Sequence, residues 1–96
     1  MSVVNWGEVY YTTMRAVSQE AAEQKAREIA ALPIDIVIDD LAVARQAAIF
    51  KGKHRLAYAD CFAAALGKLK NAEVVTGDPE FKQLEGEVKV AWLPKN

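Results

Sequence analysis

Cysteine, histidine and proline are all scarce in this 96-residue chain: one Cys, one His and three Pro. A lone Cys61 excludes a disulfide framework and a cysteine-based zinc site. It lies in an apolar stretch and reads as core rather than nucleophile. His54, the single histidine, sits in a polar run and reads as an exposed residue. Charge of one sign is also lacking. The formal net charge is −1, so no global field draws the chain to nucleic acid, and any such binding must come from a local patch. The longest apolar run, Cys61–Leu66, is far too short to span a bilayer. No leader of charged then apolar residues opens the chain. Together these features lead us to expect a cytoplasmic protein with no membrane partner.

What is present is ordinary for a folded domain. Hydrophobic residues make up 52% and charged residues 26%, and the length suits one domain rather than two. No repeat, low-complexity tract or Pro/Gly/Ser-rich linker interrupts it, so residues 1–96 are read as a single domain. Ser2–Val4 reads as a short strand. From Asn5, the spacing of Trp6, Val9, Tyr10, Thr13, Met14 and Val17 predicts a helix. Ser18 caps a second helix, Gln19–Leu32, which Pro33 ends. Ile34–Ile38 is rich in β-branched residues and reads as a strand. Asp40 caps a helix from Leu41 to about Phe50, and Lys51–Arg55 reads as a basic loop. An apolar helix, Leu56–Leu69, stops near Asn71. Strands at Glu73–Thr76 and Val88–Leu93 flank a short helical turn that opens at Asp78-Pro79. Strands separated by helices imply an α/β fold with a parallel sheet flanked by helices, and ligands in such sheets bind at the carboxyl ends of strands.

Three carboxylates near those ends are candidates for chemistry. Glu8 follows Asn5 at capping-box spacing, so a cap is one reading of it. Asp78 precedes Pro79, a common helix start. Asp60 stands in a helix that is apolar nearly all round, where an unpaired carboxylate is expensive; the competing reading is a cap on a helix starting at Cys61. A divalent cation shared with Glu8 and Asp78 would compensate Asp60, and hard cations such as magnesium take oxygen ligands. Lys51, Lys53 and Arg55 form the one basic run able to meet RNA phosphates, with Lys68 and Lys70 in addition. A short charge run is more often a solvated loop.

Three stretches carry a resemblance that covers essentially the whole chain: Val3-Val4-Asn5-Trp6-Gly7-Glu8-Val9-Tyr10-Tyr11, Tyr58-Ala59-Asp60-Cys61-Phe62-Ala63-Ala64-Ala65-Leu66, and Val74-Val75-Thr76-Gly77-Asp78-Pro79-Glu80-Phe81. In order and spacing they resemble PIN-domain nucleases, especially the VapC-type toxins of toxin–antitoxin pairs. The resemblance implies that Glu8, Asp60 and Asp78 are catalytic metal-binding acids, with Asn5 and Thr76 in support. The implied activity is Mg²⁺- or Mn²⁺-dependent endonucleolytic cleavage of single-stranded RNA, and the implied protein partner is an antitoxin. Family members begin with a central strand ending in a first metal-binding aspartate, followed by helices, and this sequence starts after them. The resemblance therefore implies a PIN-like fold missing its first strand, an activity impaired by the absent aspartate, and a homodimer or higher oligomer that closes the gap. Asp39 or Asp40 could stand in for the missing acid, although both read first as helix caps. The alternative function is an inactive PIN remnant acting as a dimerisation or antitoxin-binding module.

Overall fold

Ser2, rather than Asn5, starts the first helix. In the computed structural model, which describes residues 1–94, helix α1 spans Val3–Ala16 and the Ser2 side chain accepts a hydrogen bond from the Val4 N–H. A serine oxygen satisfies one of the donors that every helix N-terminus leaves over, so the helix begins three residues earlier than the apolar spacing indicates. The expected strand at Ser2–Val4 is reduced to a parallel bridge between Ser2 and Val37. The capping-box reading of Glu8 falls with it.

By contacts the chain forms two units, Met1–Asp39 and Asp40–Asn96. In the first, α1 packs against α2 (Gln19–Ala30), which Ser18 caps as expected. Tyr10 ties the two helices by donating its hydroxyl to Glu23 at 2.7 Å, and Trp6 stacks on Tyr10 with centroids 5.5 Å apart. The bridge is held by Val3 N–H to Val37 O at 2.9 Å and Val37 N–H to Met1 O at 2.7 Å. Beyond it, the expected strand Ile34–Ile38 makes no ladder, and Ile34, Ile36 and Ile38 are all exposed. Of the hydrophobic residues in this unit only Ala22 and Ile29 are buried.

The second unit carries the larger core. Helix α3 spans Leu41–Lys53, with the Asp40 carboxylate accepting from Val43 N–H at 3.0 Å. Residues Lys51–Lys53, expected in a loop, form its last turn, where cations complement the negative end of the helix dipole. Helix α4, Tyr58–Leu69, packs on α3 and buries Cys61, Phe62, Ala64 and Ala65. It ends at Leu69, and the chain turns away at Asn71, whose φ of 52° is a left-handed conformation that Asn tolerates well. Strands β1 (Val74–Thr76) and β2 (Val90–Trp92) pair in parallel, Val74 with Val90, Val75 with Ala91 and Thr76 with Trp92. Between them lies a 3-10 helix, Pro79–Leu84, which buries Phe81 and Leu84. The architecture is α/β with helices and a short parallel sheet, as the alternation of elements implied. Among the described residues no helix is long and apolar enough to cross a membrane.

Candidate metal centre

Asp78 occupies the turn that leaves β1. Its N–H donates to the Thr76 hydroxyl at 3.0 Å, and its Oδ1 accepts from Glu80 N–H at 2.9 Å, capping the 3-10 helix with Pro79 in the first position. The backbone and one carboxylate oxygen of Asp78 are thus both fixed. Thr76 closes the strand pairing as well, since its carbonyl accepts from Leu93 N–H at 2.9 Å. Thr76 and Asp78 are half-buried at the carboxyl end of a parallel strand, the position favoured for ligands in such sheets.

Asp60 differs from its sequence reading. Helix α4 starts at Tyr58, two residues later than expected, and Ala57 at the cap offers no side-chain acceptor. Asp60 therefore lies in the first turn and is half-buried rather than sealed in mid-helix. A carboxylate there gains from the positive end of the helix dipole, which reduces the need for a cation that its apolar neighbours suggested. It is not the cap of a helix beginning at Cys61. Its charge does reach Cys61: burial pushes the Cys61 thiol up, Asp60 adds to that, and Lys51 opposes it.

Glu8 and Asn5 belong to the other unit, both half-buried on α1, with Asn5 in the first turn and Glu8 in the second. Within either unit, no three His, Cys, Asp or Glu side chains among the described residues gather closely enough to hold a metal ion. Asp39, considered as a substitute ligand, is engaged at the start of α1. Its Oδ2 accepts from the Ser2 hydroxyl and, at 3.4 Å, from Val4 N–H, while its Oδ1 is buried with no hydrogen-bond partner among the described residues. Asp40 is the α3 cap.

The basic residues are not equivalent. Lys51 donates its ammonium to Leu56 O at 2.7 Å and so braces the turn into α4. Lys53 and Arg55 are exposed and form no ion pair among the described residues. Lys68 lies 3.6 Å from Glu87 and over the Phe50 ring, and His54 lies 3.6 Å from the same carboxylate. One residue that sequence reasoning passed over is Gln83, whose amide bonds both backbone groups of Arg55. A lone glutamine in a short helix gives no sequence signal for such a contact.

Carboxylates suit hard divalent cations, but among the described residues no three of them are gathered to hold one. Neither a curated protein nor a solved structure matches the chain. The PIN domain family matches residues 1–87. With that match spanning most of its length, the chain belongs to the PIN domain family.

Proposed function

We propose that residues 1–96 act as one PIN-like domain, a Mg²⁺- or Mn²⁺-dependent endoribonuclease of the VapC toxin type. The observation that carries this reading is the Thr76–Asp78 turn at the carboxyl end of β1, within a chain that matches the PIN family. PIN membership by itself supports nuclease-like function, RNA as the polymer bound and divalent metal as the cofactor class. The VapC type, the ion and the residues below are our own assignment.

Glu8, Asp60 and Asp78 are the acids that would hold the metal. A bound divalent ion would supply a water of lowered pKa and neutralise charge developing at the phosphate. The protein's part is positioning. Thr76 fixes the Asp78 main chain through its hydroxyl, and the dipole of α4 favours ionised Asp60. Asn5 supports Glu8 from the preceding turn of α1. Lys53 and Arg55 meet the phosphates of single-stranded RNA, and Lys51 adds positive charge while it braces its turn. No protein nucleophile takes part.

The reading extends to a cytoplasmic protein that forms a homodimer or higher oligomer and is countered by an antitoxin. The exposure of Ile34, Ile36, Ile38 and Leu41 supports partner binding and also favours the second reading, an inactive PIN remnant whose role is dimerisation or antitoxin binding. Calorimetric titration with Mn²⁺, a cleavage assay on single-stranded RNA and size-exclusion chromatography with light scattering separate the two. The nuclease reading expects binding and cleavage, both lost in a Glu8→Ala/Asp60→Ala/Asp78→Ala variant. A folded oligomer that neither binds Mn²⁺ nor cuts RNA establishes the remnant instead.

A further inference from the structure

We infer that the open edge of Ile34–Ile38 receives a second copy of this chain, paired antiparallel about a two-fold axis at Ile36; this rests on the oligomer reading above and on no metal or RNA. The backbone groups of an extended segment point alternately to its two sides. On one side, Asp35 O accepts from the Met1 ammonium at 2.7 Å, Val37 N–H donates to Met1 O at 2.7 Å, and Val37 O accepts from Val3 N–H at 2.9 Å. The groups of Ile36 and Ile38 therefore turn to the other side, and among the described residues they make no backbone hydrogen bond. Ile34 N–H is taken up by Leu32 O at 2.8 Å, which leaves the Ile34 carbonyl free on that side. The three isoleucine side chains are 42%, 46% and 82% exposed. Unpaired amides and carbonyls beside exposed β-branched residues are a template for a further strand.

The charges on this segment select a reversed copy of itself and fix the register. Three antiparallel registers set the free groups opposite free groups. Centred on Asp35, the pairing sets Asp35 against its own copy. Centred on Val37, it sets Asp35 against Asp39 of the second copy. Both put carboxylates directly across from each other, which is destabilising. Centred on Ile36, it sets Ile36 against its own copy, Ile34 against Ile38, and Asp35 against Val37. The run Ile34-Asp35-Ile36-Val37-Ile38 places isoleucines symmetrically about its centre, so each exposed isoleucine then meets another. The ends of the segment close the assembly. Pro33 falls opposite Asp39 and has no N–H to extend the ladder, and the far side of the segment is already held by Met1–Val3. Growth therefore stops at two copies, as an isologous contact requires.

The test uses the full chain in light scattering over a dilution series, with amide hydrogen exchange at low and high protein concentration. The parent should dimerise reversibly, and the Ile36 and Ile38 amides should exchange more slowly at high concentration. Ile38→Lys changes a side chain that is 82% exposed, so it should keep the parent's circular dichroism. It should raise the dimer dissociation constant by about tenfold or more, because an isoleucine contact is lost at each end of the pairing. With oxidised glutathione, Ile36→Cys should form a disulfide between copies and Asp35→Cys should not, since position 36 alone faces itself across the axis. A dimer that withstands Ile38→Lys, that leaves Ile36 exchange independent of concentration, or that is cross-linked through position 35 and not 36 overturns the inference while the oligomer reading stands. A chain that is monomeric at every concentration overturns both and leaves the edge to a strand from another protein.

Discussion

Ionisable side chains outside the candidate site carry a pH dependence whose sign can be worked out. Burial pushes the Cys61 thiol above its ordinary 9.0, and the hydrogen bond to Glu23 pushes the Tyr10 hydroxyl above its ordinary 10.0. A raised value means the folded state holds its proton to higher pH than the unfolded state does. The stability that each contributes is therefore complete below the ordinary value and lost as pH rises through the raised one. Urea midpoints measured from neutral pH into the alkaline range should fall, and the fall should be smaller in a Cys61→Ala/Tyr10→Phe variant. An equal fall in both proteins would refute this assignment.

Close approach of elements makes a separate demand in the second unit. Gly67 lies in α4 where a Cβ would come within 2.7 Å of Val74 Cγ2 and 3.2 Å of Ala72 O. Valine is stiff about χ1 and Val74 is fixed in β1, so neither neighbour yields easily. Gly67→Ala gains about 1 kcal/mol of helix propensity and loses about 1–3 kcal/mol to overpacking. Net destabilisation is expected, read as a lower urea midpoint, and a midpoint at or above that of the parent would show that the helix and strand can separate without loss. The same elements show what could be read beforehand. Ser18, Asp40 and Asp78 cap the helices assigned to them, and the order of α3, α4, β1 and β2 follows from periodicity and breakers. Ser2 was misread because the apolar spacing of α1 persists whichever polar residue caps it. The Ile34–Ile38 pattern is strand-like, but a ladder also needs a partner, which local sequence does not disclose. In the candidate site, the acids stand out as carboxylates near element ends. The displaced start of α4, the Lys51 brace and the Gln83–Arg55 contact depend on tertiary contacts instead.

Across the whole molecule, apolar burial is uneven. Phe50, Leu56, Phe62, Phe81 and Leu84 are all buried in Asp40–Asn96, whereas Met1–Asp39 keeps isoleucines at alternating positions in water, with Ile38 at 82% exposure. An extended, β-branched, solvent-facing run is the kind of segment that seeds cross-β stacking between copies. Here it is bounded by Pro33 and punctuated by Asp35, Asp39 and Asp40. Proline lacks the N–H a ladder needs, and a repeated like charge in each stacked layer repels its neighbours, so these residues act as gatekeepers. Asp39 is held by the Ser2 hydroxyl and Asp40 by the α3 cap, while among the described residues the bond to Asp35 falls on its main-chain carbonyl, accepting from the Met1 ammonium at 2.7 Å. Its carboxylate therefore guards the run without also holding a helix start. Asp35→Asn should leave the fold intact by circular dichroism yet shorten the lag before thioflavin-positive aggregates form at neutral pH; an unchanged lag would place the protection elsewhere. Three exposed isoleucines thus make the solubility of this chain depend on a carboxylate remote in sequence from Asp60 and Asp78.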